Sequence, residues 1–207
     1  MKIEINLKII LILVLFLLIN KIDVYAIFLI FIIIHEIVHA LVGILLGFKP
    51  KVFKLNPLGV LIEFYSYNNA SYIKKILIFL AGPISNILLS LIFYFIDIEF
   101  ELKTKLIYTN LLIGIFNLIP IIPLDGGRIF KEILTNFIGN KNANEFMIIS
   151  TKVILAIITL IYSIVIFKMK NIAIFLLIIY LWYLYLIEEK KVKMVSKVYD
   201  ALSKNLI

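Results

Sequence analysis

Ile34-His35-Glu36-Ile37-Val38-His39 contains the only two histidines of the 207-residue chain, inside an apolar run from Val24 to Phe48. On a helix, positions i and i+4 share one face a turn apart, so His35 and His39 can offer imidazole nitrogens to a single Zn²⁺. Glu36 lies beside them, where a carboxylate can take a proton from water at such a centre. The alternative is a pair of structural histidines in a polar helix contact. At about 1.5 Å per residue the run is long enough to cross a hydrocarbon core of about 30 Å. Charged and polar groups in mid-span are costly, so His35, Glu36 and His39 should face protein or a water-filled cavity. Ala40, Gly43 and Gly47 form a small-residue stripe for close helix packing.

Composition agrees with a membrane setting for this stretch. Hydrophobic residues make up 63% of the chain, mean hydropathy is +1.11 and only 16% of residues are charged, whereas soluble domains carry about 25% charged residues. The absence of cysteine excludes disulfides, a thiolate metal site and a cysteine nucleophile. The net charge of +8 comes from basic residues flanking apolar runs, which points to membrane topology rather than to nucleic acid.

Outward from the motif, the N-terminal run Ile9 to Ile19 reads as a first helix, since no Ala-x-Ala cleavage site follows it. After the motif, Val52 to Phe64 reads as two short strands joined by a turn at Asn56-Pro57-Leu58-Gly59, a hairpin at the membrane interface with an edge that could pair an extended peptide. Glu63 within it reads as a loop charge. The next span, Ile76 to Ile96, is interrupted at Ala81-Gly82-Pro83, and Gly82, Asn86 and Ser90 make one small polar face. Asn86 on that face can bond either a substrate backbone or a neighbouring helix. Asp97 to Lys105 reads as a solvated charged loop.

The fourth span begins at Leu106 and runs into Asn117-Leu118-Ile119-Pro120-Ile121-Ile122-Pro123-Leu124-Asp125-Gly126-Gly127-Arg128. Its two prolines disfavour helix, so the chain should become extended at membrane depth, which is tolerated only inside protein or along a cavity. Asp125 is the natural third zinc ligand, and its alternative is the N-cap of the helix that follows. That helix, Arg128 to Ile138, reads as interfacial. Val153 to Phe167 and Ile172 to Ile187 read as a final pair of spans, with Trp182, Tyr183 and Tyr185 in an interfacial aromatic belt. The fold class expected is an all-α polytopic membrane protein of about six transmembrane helices, with a membrane-associated β-hairpin-like loop after the second helix. With both termini cytoplasmic, most of the 21 basic residues fall on the cytoplasmic side.

Together, His35-Glu36-x-x-His39 in one span, Ala81-Gly82-Pro83 through Asn86 in the next, and Asn117-x-x-Pro120 through Leu124-Asp125-Gly126-Gly127 resemble the site-2 protease family of intramembrane zinc metalloproteases. The last of these runs looks most like the branch of stage IV sporulation protein FB, which processes a membrane-associated sigma-factor precursor. The resemblance implies one zinc held by His35, His39 and Asp125, Glu36 as general base, and Asn86 and Asn117 positioning substrate. It also implies a membrane-associated protein substrate in the lipid bilayer, with membrane inhibitor or activator proteins as further partners. Residues 1–187 would be the protease domain, with its core at 24–128, and 188–207 a short basic cytoplasmic tail; neither a CBS nor a PDZ domain is expected. A non-catalytic metal-binding membrane protein or a metal transporter is the competing reading. A transporter, however, needs ligands repeated along several spans, and here they gather around one.

Overall fold

The computed structural model describes residues 2–5, 22–56, 59–65, 70–169 and 172–204. These form two compact units, divided between Leu118 and Ile119. The expected first helix, Ile9 to Ile19, lies outside the described residues.

The first unit holds the histidine motif. Helix α1, Ile22–Leu45, is apolar all round, as a helix between protein and lipid should be. Its buried side carries Tyr25, Phe31, Ile32, His35, His39 and Ala40, while Ile30, Ile37, Leu41 and Ile44 are exposed on the other side. The helix ends in a Schellman motif. Gly47 takes φ 92°, its N–H donates to Ile44 O at 2.9 Å, and the Phe48 N–H donates to Gly43 O at 3.0 Å. Gly47 is therefore a helix stop and not part of the packing stripe expected from its spacing; Ala40 and Gly43 are buried as that stripe requires. From the next helix, Lys74 Nζ donates to Leu46 O at 3.2 Å, placing a cation against the carbonyl end of α1.

Three strands follow the order β1-β2-β3: β1 Lys2–Ile5, β2 Pro50–Asn56 and β3 Gly59–Phe64. Strands β2 and β3 are antiparallel, with Lys54 opposite Leu61 and Asn56 opposite Gly59. Strand β1 adds in parallel to β2, which the apolar pattern of the N-terminal residues does not announce. The ring of Phe64 at the end of β3 occupies the space where a Cβ on Gly43 would stand, which seats the sheet on α1.

Helix α2, Tyr72–Phe95, runs through Pro83 without a break and buries Ile78, Gly82, Pro83, Asn86 and Ser90. The interruption expected there is absent: a proline in a membrane helix is tolerated when neighbouring helices surround it, and Pro83 is fully buried. Helix α3, Phe100–Asn117, begins inside the stretch expected to be a charged loop. Glu101 and Lys105 stand one turn apart at 2.8 Å, a spacing that supports the helix instead of interrupting it. At Gly114, α3 comes close to α2: a Cβ there would lie 3.1 Å from Pro83 O and 3.4 Å from the Cβ of Asn86. Phe31, Ile32 and Ile113 form the buried core of this unit, with Phe93 edge-on to Phe31 at 5.6 Å.

The second unit opens with tight turns where extended chain was expected. The Ile121 N–H donates to Ile119 O at 2.8 Å, the Leu124 N–H to Ile121 O at 2.9 Å, and the Ile122–Pro123 peptide is cis. Helix α4 spans Asp125–Met169 and breaks at Gly139, whose φ of 79° is non-helical. The expected amphipathic helix Arg128 to Ile138 thus matches the part before Gly139, while the span expected from Val153 already belongs to a helix resuming at Asn140. Helix α5, Ile172–Lys204, continues through the residues read as a separate tail. Within this unit Trp182 Nε1 donates to Thr159 Oγ1 on α4 at 3.0 Å and Tyr185 is buried, so only Tyr183 of the expected belt is exposed.

Among the described residues three segments are long and apolar enough to cross a bilayer, Val24–Leu45, Tyr72–Phe95 and Asp125–Ile164, against the six spans expected. The chain is an integral membrane protein.

Candidate metal centre

His35 and His39 stand one above the other on the buried face of α1, with 2% and 7% of their surfaces exposed. Their rings meet edge-on with centroids 4.7 Å apart, and their Nε2 atoms are 3.0 Å apart. The outer nitrogens are both committed. His39 Nδ1 lies 2.5 Å from the carbonyl oxygen of Ile78, which can only accept, so this nitrogen carries the proton. His35 Nδ1 lies 2.5 Å from Asn86 Oδ1.

The direction of that second bond follows from the groups behind it. Asn110 Nδ2 donates to Leu106 O at 2.9 Å, a carbonyl that fixes the orientation of the Asn110 amide. The Asn110 oxygen then faces Asn86 and accepts from Asn86 Nδ2 at 3.0 Å. The Asn86 oxygen is left facing His35, and His35 Nδ1 must donate to it. With both Nδ1 atoms donating to acceptors on α2, the two Nε2 atoms, 3.0 Å apart, are the nitrogens that can serve one cation together.

Between Ile78 and Asn86 the same helix face is cut away for the rings. A Cβ added to Gly82 of α2 would overlap His39 Nε2 and lie 2.6 Å from His35 Nε2. Only glycine leaves room for two imidazoles against that helix. The small polar face read from Gly82, Asn86 and Ser90 is thus buried in the first unit, next to the histidines. The donor set suits zinc: two Zn–N bonds of about 2.0–2.1 Å at a tetrahedral angle separate their nitrogens by about 3.3 Å, close to the spacing found. A backbone carbonyl on the outer nitrogen, as at His39, is a usual support of metal-binding histidines, and the Asn86 amide oxygen fills the same place at His35.

Glu36, next to His35 on α1, is half-buried. Asn117 sits in the last turn of α3, where Nδ2 donates to Ile113 O of its own helix at 3.0 Å. In the second unit Asp125 is 7% exposed and is the first residue of α4. The Leu124 carbonyl accepts the first helical bond, from the Arg128 N–H at 3.1 Å, so Leu124 holds the N-cap position and Asp125 does not. Gly127 lies against the Ile121 carbonyl with no space for a side chain, which shapes the turn that presents Asp125.

The model of Peptidase family M50 matches residues 24–101 and 100–161. The chain belongs to this peptidase family. Two relatives bear on the metal and on the branch. A zinc metalloprotease of Methanocaldococcus jannaschii is 30% identical over 115 residues, covering 52% of this chain and 33% of that protein. Stage IV sporulation protein FB of Bacillus subtilis is 31% identical over 108 residues, covering 49% of this chain and 36% of that protein. The chain thus spans about a third of the length of the curated relatives it matches. Among solved structures, the site-2 protease from Methanocaldococcus jannaschii superposes with a TM-score of 0.68 at 24% identity, over 90% of this chain and 89% of that one, which establishes a common fold. For an M50 member zinc is the cofactor, and the histidine pair accommodates it.

Asn110 is the residue that sequence reasoning passed over. It is fully buried on the inner face of α3 and completes the polar network behind His35. The available signal was an amide inside an apolar span, where a polar side chain is costly unless partnered.

Proposed function

We infer that this chain is an intramembrane zinc endopeptidase of the site-2 type, hydrolysing a peptide bond in or near the membrane segment of a membrane-associated protein. The observation that carries the reading is the convergence of two Nε2 atoms, each ring held through its Nδ1, with a glutamate adjoining them in an apolar helix. His35, His39 and Asp125 are the three ligands in this reading, a two-imidazole, one-carboxylate set of the kind catalytic zinc sites use. When bound, zinc supplies Lewis-acid polarisation of the peptide carbonyl and makes water acidic enough to attack at neutral pH.

The chain's own residues do the rest. Glu36 accepts the proton of the attacking water and passes it to the leaving amine. The polar bonds behind His35 and His39 hold the rings in place throughout. Asn117, at the end of α3, is the residue assigned to substrate positioning. Asn86 shares that assignment by family likeness, but its amide bonds to His35 and Asn110 favour a supporting role for it. A substrate helix has its backbone bonds satisfied internally, so the scissile stretch must unwind, and pairing with the outer edge of β3 would hold it extended.

Six spans with both termini cytoplasmic in the cell membrane fit the distribution of basic residues. The protease domain is taken as residues 1–187, with a basic tail from 188. The likeness to the sporulation protein makes a membrane-tethered sigma-factor precursor the first substrate to test. Co-expression of this chain with that precursor should yield a cleaved product, and Glu36→Gln should abolish cleavage while zinc content stays at one per chain. Cleavage by the Glu36→Gln variant would remove Glu36 from the mechanism.

A further inference from the structure

We propose that Asn110 is a positioning residue for the metal centre, acting through Asn86 to set the proton and the ring orientation of His35. This rests on the zinc reading of His35 and His39. Three helices take part, and each bond has one allowed direction: Leu106 O accepts from Asn110 Nδ2 at 2.9 Å, Asn110 Oδ1 from Asn86 Nδ2 at 3.0 Å, and Asn86 Oδ1 from His35 Nδ1 at 2.5 Å.

Asparagine alone could point its amide either way, because its oxygen and nitrogen are nearly the same shape. The Leu106 carbonyl removes that choice for Asn110, and Asn110 removes it for Asn86. A reversed Asn86 would present NH₂ to His35, force its Nδ1 to accept, and move the ring proton to Nε2, where it would block ligation. Asn110 therefore selects the ligating tautomer from two side chains away. All the side chains in this chain of bonds are buried, with Asn86 and Asn110 at 0% exposure, so water does not compete for the bonds. The approach of α3 to α2 at Gly114, one turn beyond Asn110, brings the two amides within reach.

His39 is held differently, by the backbone oxygen of Ile78, which needs no orienting partner. The two ligands should therefore respond differently to mutation on α3. Loss of such an outer support commonly weakens metal binding about 10- to 100-fold.

The test uses the full chain in detergent, with zinc affinity read by chelator competition and the centre probed by the electronic spectrum of the Co²⁺-substituted protein. Asn110→Leu, similar in size but without polar atoms, should weaken zinc binding about 10- to 100-fold and alter the Co²⁺ spectrum. Asn110→Asp, which in its protonated form can still accept from Asn86 and donate to Leu106 O, should hold zinc within about threefold of the parent chain. In an Asn86→Ala background Asn110→Leu should have no further effect, because the link to His35 is already cut.

Parent-like affinity in Asn110→Leu, or an equal additional loss in the Asn86→Ala background, overturns the proposal. So does failure of Asn110→Asp to retain zinc, because an acceptor for Asn86 at position 110 would then not be what supports the centre. His39→Ala separates the two levels of the argument. If it loses zinc while Asn110→Leu does not, only the role of Asn110 fails; if it too retains zinc, the metal reading itself fails.

Discussion

Adding one methyl group to Gly82 tests the metal centre from the side opposite its ligands. The new Cβ would lie 2.6 Å from His35 Nε2 and 2.7 Å from its Cε1, and would overlap His39 Nε2. Ordinary carbon contacts begin near about 3.5 Å, so the His35 nitrogen must retreat by roughly 0.9 Å, and that of His39 by more. Metal–ligand distances tolerate only about 0.2 Å, so the movement is several times what the centre can absorb. Retreat from α2 also draws the rings away from Asn86 Oδ1 and Ile78 O, the acceptors on that helix for their Nδ1 protons. Gly82→Ala should therefore lower zinc affinity by on the order of 100-fold or more, and cleavage should become undetectable. Helix α2 itself does not suffer, since alanine is the better helix former by about 1 kcal/mol. Zinc stoichiometry and chelator competition on the purified protein give the answer, with circular dichroism to verify helix content. Gly114→Ala gives the graded comparison: its Cβ meets its nearest neighbours at 3.1 Å, a few tenths of an ångström too close, so it should lower zinc affinity far less than Gly82→Ala. A Gly82→Ala protein that holds zinc as tightly as the parent would refute the placement of the imidazoles against α2.

Two further outcomes follow from other parts of the structure. Stripping zinc with a chelator removes a ligand held by the folded protein alone, so the melting temperature should fall and recover as zinc is restored, the stabilisation being about 2.7 kcal/mol at a hundredfold excess over Kd. Differential scanning in detergent reads this, and a His35→Ala, His39→Ala double variant should show no response to zinc. In the second unit Thr151 Oγ1 accepts the Ile122 N–H at 3.1 Å. Thr151→Val removes the acceptor at nearly constant volume and should cost about 1–3 kcal/mol in denaturant unfolding; unchanged stability would mean that the turn finds another partner for that N–H.

The parts of the site carried by a single helix were legible in the sequence. His35 and His39 at i and i+4 had to share a face, and Gly82, Asn86 and Ser90 at successive fourth positions had to share another, because helical geometry alone dictates both. What joins those faces was not legible. Whether Asn86 meets substrate or a histidine depends on which helix packs beside it, and Asn110 lay unmarked between Tyr108-Thr109 and Leu111-Leu112-Ile113. Boundaries failed where local and tertiary effects compete. Gly47 has the spacing of a packing residue yet serves as a helix stop, and Glu101 and Lys105 resemble loop charges until their i, i+4 pairing is considered. The N-terminal strand is invisible locally because its partner, β2, lies some fifty residues away.

The ring of Phe64 in the notch at Gly43 has a mechanical meaning. Gly43 is one turn beyond His39 on the same helix, and the notch admits the ring only because no side chain fills it. Strand β3 cannot slide along α1 without withdrawing that ring, so sheet and helix share one origin of register. Under the proposed pairing of substrate with β3, a peptide would be measured from that origin, and the bond brought to the histidines would be selected by counting residues from the notch. Such a ruler reads length rather than side-chain identity, and enlarging Gly43 would reset its zero.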